Sequence, residues 1–394
     1  MTNRMMLQEV AAPKGFIGGP FGSNLVSKDY VDAGVPVIRG SNMGRNGNIE
    51  DPFVYVTEGK LERDLSRSVA RPGDLVFTQR GTLGQVALLG ADFGDRYVIS
   101  QSQMGLVVNK KVANARYIYY ACTMKEFLAQ IDARAIRTGV PHLNLGILKE
   151  LTIPYAPLAV QVGISAVLGA LDDKIAANLS ITAHADSLIR AMYRGLRLSG
   201  RTLGEVAVNV RDSIGFEEIA AEELYVGLEH FDRRSLWLDR QGDGADVTSS
   251  KLRFSAGDVL FGRLRPYFHK VALASMPGVC STDVLVVRAR EKEDIALVAA
   301  AASSDAVVAA AVQASNGTKM PRAKWDDIAD CRVPDPGSKD SRAFCRAVEV
   351  IARRAFQANE ESRQLAATRD ELLPLLMSGK ITVKDAEKTV EEVV

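Results

Sequence analysis

Gly139-Val-Pro-His-Leu-Asn-Leu-Gly-Ile-Leu-Lys-Glu-Leu-Thr-Ile-Pro154 is answered later in the chain by Lys319-Met-Pro-Arg-Ala-Lys-Trp-Asp-Asp-Ile-Ala-Asp-Cys-Arg-Val-Pro334. The leading prolines lie 180 residues apart (321 − 141), and so do the closing ones (334 − 154). Upstream, Gly73-Asp-Leu-Val-Phe77 returns as Gly257-Asp-Val-Leu-Phe261 at an offset of 184, and Ile99-Ser-Gln-Ser102 as Val279-Cys-Ser-Thr282 at 180. A period this long, present twice, is a duplicated domain with its following helix and not a solenoid repeat.

Each copy runs into a long stretch of helical character. From Leu158 to Arg197 there is no proline, and Ile164, Leu168, Leu171, Ile175, Asn178, Thr182, Ala185, Ile189 and Met192 recur at heptad-like spacing. Roughly 40 such residues make a helix of about 60 Å. A second seam begins near Ser341 and reads Phe344, Val348, Ile351, Ala355, Ala358, Ser362, Leu365, Arg369 and Leu372, until Pro374 and Gly379 end it and leave a short charged tail. One such seam alone would mean a helix packed on its own domain. Two of equal length imply an antiparallel pair, with Leu168, Leu171, Ile175, Asn178 and Ile189 facing Val348, Ile351, Leu365 and Leu372. Polar residues in mid-seam fix the register of such a pair.

The resulting organisation is a mixed α/β domain over 1–157, a helix over 158–199, a second domain over 200–338, a second helix over 339–378 and a tail over 379–394. In the first domain Val35–Ile38, Asp74–Phe77, Gln85–Leu89 and Met104–Val108 read as strands, and Arg116–Leu128 as one helix. In the second, Leu224–Gly227, Asp258–Phe261, Lys270–Leu273 and Asp283–Val287 read as strands, and the Ala/Val-rich run Ile295–Val312 as a helix. The fold class is α+β with an internal pseudo-two-fold.

The chain has 394 residues, with 47% hydrophobic and 25% charged, the proportions of a globular protein with real cores. It holds no 18-residue apolar run, and Met1-Thr-Asn-Arg-Met-Met-Leu7 lacks the apolar core of a secretory signal. Cys122, Cys280, Cys331 and Cys345 show no CxxC spacing and read as buried or neutral thiols of a reducing cytoplasm. Net charge is +1. Residues 1–199 carry 22 basic and 17 acidic side chains, leaving 27 and 31 for the rest. If DNA is the partner, its positive charge must be gathered on one face or come from another subunit.

Catalytic motifs are missing. There is no phosphate loop, no His-Glu-x-x-His, no nucleophile elbow, and neither the Asn/Asp-Pro-Pro-aromatic loop nor the glycine-rich turn that a DNA amino-methyltransferase needs. Asp172-Asp-Lys174 lies inside a long helix and reads as a solvated face, and the four histidines have no ligand spacing. What the chain does carry is loop polarity suited to bases and phosphates. The candidates are Lys28, Arg39, Ser41, Asn42, Arg80, Thr82, Gln85, Gln101, Ser102, Arg137 and His142 in the first copy. In the second they are His230, Arg263, Arg265, Tyr267, His269, Asn316, Lys319, Arg322 and Lys324. Each loop alone would pass for ordinary surface; their return at equivalent places is what singles them out.

Taken together, Pro20-Phe-Gly-Ser-Asn-Leu25, Val35-Pro-Val-Ile-Arg-Gly-Ser-Asn42, Gly73-Asp-Leu-Val-Phe-Thr-Gln-Arg-Gly-Thr-Leu-Gly84, Thr138-Gly-Val-Pro-His-Leu-Asn144 and the helix phrase Leu168-Gly-Ala-Leu-Asp-Asp-Lys-Ile175 resemble the specificity subunits of type I restriction–modification systems. Gly257-Asp-Val-Leu-Phe261, Gly317-Thr-Lys-Met-Pro-Arg322 with Trp325, and Thr368-Arg-Asp-Glu-Leu-Leu373 carry the likeness in the second half. That half departs from the first: it lacks the Pro-Phe-Gly-Ser opener, and Leu228-Glu-His-Phe231 stands where Gly40-Ser-Asn-Met43 does.

The resemblance implies two target-recognition domains held apart by antiparallel spacer helices, reading a bipartite site in double-stranded DNA. It implies a non-catalytic, cytoplasmic subunit of a phage-defence system that binds no cofactor or metal itself. Methyltransferase subunits, two by pseudo-symmetry, would carry S-adenosylmethionine, and ATP-dependent endonuclease subunits would carry ATP and magnesium. A methylation-only system and a two-domain protein-interaction scaffold remain as alternatives.

Overall fold

A computed structural model describes residues 4–44, 47–315 and 320–391. The chain divides into two compact units, Met1–Asp172 with Ala367–Val394, and Asp173–Ala366. The cuts fall inside the long helices, so each unit holds one mixed α/β domain and one half of a helix pair.

The first unit is built on two four-stranded sheets. One runs in the order Ala11–Gly18, Gln103–Val108, Leu75–Thr78, Val86–Leu88, all antiparallel. The other runs Val54–Val56, Val35–Ile38, Tyr97–Ile99, Val69–Ala70. Its central pair is parallel, with Val37 beside Val98 and Ile38 beside Ile99. Ile38 and Ile99 of one sheet pack with Val76 and Ala87 of the other. Strands such as Val35–Ile38 and Leu75–Thr78 are buried along their whole length, which is why they read as unbroken apolar runs.

The second unit repeats this plan. Its sheets run Ala207–Val210, Val284–Ala289, Val259–Gly262, Val271–Leu273, and Ser213–Ile214, Lys251–Phe254, Gly278–Cys280, Leu224–Val226, Gly242–Asp243. Side chains alternate cleanly: Val259, Phe261, Leu285 and Val287 face the helices, while Leu260, Val284 and Val286 face the second sheet. That is the period of two expected of a strand with a core on each face. The opening turns repeat as well: Glu9 caps the amide of Met6 at 2.6 Å, and Glu205 caps that of Thr202 at 2.7 Å.

The long helices are Leu158–Arg194 and Lys339–Ser378. In the second unit Asn178 donates to Glu361 at 2.9 Å, while Ile189, further along the first helix, packs with Val348 and Phe344, further back along the other. The halves of the pair are therefore antiparallel. Leu168, Leu171, Ile175, Asn178, Ile189, Val348, Leu365 and Leu372 are buried; Ile351 is half-buried.

Four expectations need correction. Arg116–Leu128 is two helices, Ala115–Thr123 and Lys125–Arg134, broken where Met124 is extended at φ −65°, ψ 146°. The break lets Phe127 and Ile131 be buried as well as Tyr117 and Tyr120. Ile295–Val312 is also two, Ile295–Ala302 and Asp305–Ala314, because Ser304 starts afresh as an N-cap for Val307 at 3.3 Å. Pro374 does not end the second long helix, which continues to Ser378. The stop is Gly379, left-handed at φ +71°, whose amide bonds Leu376 while that of Lys380 bonds Leu375. Finally, the charged tail holds a helix, Val383–Glu391, capped by Thr382 and Asp385.

Candidate nucleic-acid interface

In the first unit, strand order brings the candidate loops to one end. Ile38 and Ile99 end side by side, and the amide of Ser100 bonds the carbonyl of Ile38 at 2.9 Å. Gly18 stands opposite Met104, and Thr78 opposite Gln103, at the same end of the neighbouring sheet. Beyond the strands, backbone bonds continue: Gln79 N to Ser102 O at 2.7 Å, Arg80 N to Ser102 O at 3.3 Å, and Leu143 N to Gln79 O at 2.9 Å. Arg80 also forms an isolated bridge with His142. The loop after Gly18 closes the group. A Cβ at Gly19 would lie 2.2 Å from the Ser100 carbonyl oxygen, so only glycine allows this approach. Gln101 donates its side-chain amide to Gly22 O at 2.6 Å.

Within this cluster the candidates divide. Arg80, Thr82 and Ser41 are exposed, and among the described residues their side chains have no hydrogen-bond or ion-pair partner. Lys28 is exposed but lies apart from the cluster: its neighbour Asp29 is ion-paired to Lys60 at 3.3 Å, just past the end of strand Val54–Val56 that pairs with Val35 and not with the Ile38 end. Arg137 is exposed but ion-paired to Asp132. Arg39 is half-buried with its Nε unpartnered, and His142 is half-buried with Nδ1 at 3.2 Å from Val140 O. Gln101 and Gln85 hold loops: Gln85 sits 3.1 Å from Thr78 Oγ1 and donates to Met43 O at 3.4 Å. Ser102 serves through its carbonyl.

Asn42 is a correction. It is fully buried, accepts from the Arg39 amide at 3.1 Å and donates to Glu50 O and Pro52 O, both at 2.9 Å. Every polar atom of that side chain is spent on the frame, so it has nothing left for a base edge.

The second unit builds the same end with the same bonds. Ser281 N bonds Val226 O at 3.0 Å, Arg263 N bonds Asp283 O at 2.9 Å, and Ala323 N bonds Arg263 O at 2.9 Å. Leu264 bridges Arg322 as Arg80 bridges His142. Position by position, Arg263 stands for Gln79, Asp283 for Ser102 and Arg322 for His142. Arg265 is exposed in a left-handed turn at φ +51°, Tyr267 is 54% exposed, and Lys324 is exposed. Arg263 is half-buried with Nε unpartnered. Arg322 is ion-paired to Asp283 at 2.8 Å.

His230 uses Nδ1 to accept from the Gly227 amide at 3.0 Å, and burial depresses its pKa, so the neutral ring shapes the turn. His269 is the second correction. It is buried, its Nε2 lies 2.8 Å from Ser303 O, and desolvation holds its pKa below the ordinary value. It belongs to the core. Asn316 and Lys319 lie outside the described residues.

Two residues were not singled out by sequence. Asp283 lies one position past the Ile99/Val279 echo, whose offset of 180 would align it with Gln103; the backbone bonds pair it with Ser102 at an offset of 181. Phe21, 88% exposed beside the Gln101-held turn, was visible in the Pro-Phe-Gly-Ser phrase without a role. Among the described residues there is no cluster of side chains suited to hold a metal, and no single helix is long and apolar enough to cross a membrane.

Residues 23–183 match the family model of the type I restriction modification DNA specificity domain. A stretch of 105 residues, 27% of this chain, is 28% identical to the type I restriction enzyme EcoDI specificity subunit of Escherichia coli, and spans 23% of that protein's length. Over 374 residues, 86% of this chain and 84% of the relative, the chain is 19% identical to the MjaVIII specificity subunit of Methanocaldococcus jannaschii. Among solved structures, the type I restriction–modification S subunit from M. genitalium matches with a TM-score of 0.59 at 16% identity, covering 95% of each chain. That is a likeness of fold.

Proposed function

We propose that this relative of the type I specificity subunits reads a bipartite, asymmetric DNA site, one half-site with the loop end of each unit. It is a specificity subunit, not an enzyme. The observation that carries the reading is the backbone scaffold of the loop ends, bonded alike in both units while the side chains displayed on it differ. Phosphate contacts give position and affinity, and base-edge contacts give sequence. Arg80, Thr82 and Ser41 supply such groups in the first unit; Arg265, Tyr267, Lys324 and Arg322 supply them in the second.

The long helices act in this proposal as the ruler between half-sites and as the docking surface for methyltransferase subunits, which would carry S-adenosylmethionine and methylate adenine. Endonuclease subunits with ATP and magnesium would join through them; a methylation-only system would use the same chain without them. A protein-interaction scaffold is the second reading, favoured by the net charge of +1. Gel-shift binding to random DNA, with and without the methyltransferase, separates the two.

Methylome sequencing of a host expressing the system tests the proposal directly. The expected motif has two defined halves and an undefined gap. Arg80→Ala relaxes one half; equal loss on all sequences would reduce Arg80 to a phosphate contact. One added turn in both helices lengthens the gap, and an unchanged gap would sink the ruler.

A further inference from the structure

The Asp283–Arg322 pair combines a side-on grip with a place on the loop end of the second unit. Arg322 Nε donates to Asp283 Oδ1 at 2.8 Å and Nη2 to Oδ2 at 3.4 Å, so the carboxylate grips the side of the guanidinium. Both residues are fixed by the backbone of one loop. Arg263 N bonds Asp283 O, Ala323 N bonds Arg263 O, and Arg265 N bonds Pro321 O at 2.8 Å, clamping Arg322 from both sides. The pair is only partly shielded, with the side chains 45% and 27% exposed.

A guanidinium has five N–H groups in a rigid fork. Side-on pairing occupies Nε–H and one hydrogen of Nη2. Among the described residues, Nη1 and the other Nη2 hydrogen have no partner. Those two point along the end of the fork, the geometry that matches guanine O6 and N7 in the major groove. The carboxylate offsets the cation, which weakens its pull on phosphate, and holds the fork in one orientation, which favours a bidentate contact.

Two comparisons within the chain sharpen this. Arg288 grips Asp258 in the same side-on way at 2.7 and 2.6 Å, but at the opposite end of strand Val259–Gly262, with Asp258 1% exposed. That fork braces the sheet. Arg137, on the first unit's loops, reaches Asp132 with Nη2 alone and is not held as a fork. His142 and Ser102 occupy the first unit's equivalent places, so this device belongs to one half-site only.

We infer that Arg322 reads a guanine in the major groove, with Asp283 as the residue that positions it. The inference rests on the reading of the loop ends as DNA-facing. The test uses the intact complex with its methyltransferase and, as probe, duplexes carrying the methylome-defined motif. In the half-site that Arg80→Ala leaves intact, Arg322→Ala lowers discrimination at one guanine by roughly 5- to 150-fold. Asp283→Ala relaxes the same position by less, and Arg322→Lys does not restore it.

Replacing that guanine by 7-deazaguanine removes N7 and weakens the wild-type complex at this position alone, an arm that requires no variant to fold. Relaxation at a base other than guanine, a uniform loss on every sequence, or indifference to 7-deazaguanine throughout the half-site overturns the assignment. A wild-type complex that yields no motif at all would instead overturn the DNA-reading function on which it rests.

Discussion

Removing the carboxylate of Asp172 should destabilise the first unit far more than a surface ion pair would. Asp172 Oδ1 accepts from Arg369 Nη1 at 2.7 Å and Oδ2 accepts from the Tyr120 hydroxyl at 2.6 Å, which ties a domain helix to the helix pair. The side chains are 18% (Arg369) and 24% (Asp172) exposed. The duplication supplies its own control: 180 residues apart, 352 − 172 and 369 − 189, the other half of the pair has Ala352 and Ile189, both in one apolar cluster.

Breaking a buried pair by removing one partner costs about 3–5 kcal/mol, whereas replacing both by apolar groups is near neutral. Arg369 keeps Asp370 at 2.8 Å, which places Asp172→Ala near the lower limit, about 3 kcal/mol. For a unit of this size that is a fall of roughly 6–12 °C in its melting transition. Native-state hydrogen exchange over 158–172 localises the loss to this unit. The triple change Asp172→Ala, Arg369→Ile, Tyr120→Phe copies the apolar half and should recover most of it. A shift under about 2 °C for Asp172→Ala, or a triple variant as weak as the sum of its parts, would show that the three groups do not act together.

Two further outcomes follow from the buried polar groups. Burial pushes the Asp186 carboxyl up to about 6 against the pull of Arg190, with both oxygens facing the Leu236 amide at 3.2 Å. The folded-state value lies above the unfolded one, so the protonated acid favours folding, and this contribution fades as pH rises from about 4 to about 6. Denaturation of Asp186→Asn against wild type should therefore show a difference near zero at pH 4 that grows to about 3 kcal/mol above pH 6; a flat difference would refute the burial argument. Asn42→Ala should cost roughly 2–4 kcal/mol of first-unit stability, for three buried hydrogen bonds, by urea titration. Loss of base preference without loss of stability would return Asn42 to the reading surface.

Much of the frame was legible because its signals are local. Val35–Ile38 and Leu75–Thr78 are apolar along their length, and the helix seams repeat over many turns. The Val383–Glu391 helix, expected only as a charged tail, carries a local signal as well, the capping pattern Thr382-x-x-Asp385. Pro374 misled for a physical reason. A proline removes one amide donor, and packing of Leu372, Leu376 and Met377, all buried, outweighs one lost bond. The loops were legible as a set but not residue by residue. Whether an asparagine or histidine is free depends on distant carbonyls, Glu50 and Pro52 for Asn42, Ser303 for His269, and no local spacing encodes those.

The duplicated loop ends also explain how two copies of one frame can come to display different groups. The bonds that place them run between amides and carbonyls: Gln79 to Ser102 in one unit, Arg263 to Asp283 in the other. Backbone donors and acceptors are the same for every residue but proline. Serine can therefore give way to aspartate, histidine to arginine and arginine to leucine at equivalent places without moving the loop. Asn42, a side chain that the frame does use, is buried away from that surface. A loop positioned largely by its main chain is free to change what it displays, and that freedom is what the proposed reading of two different half-sites calls for.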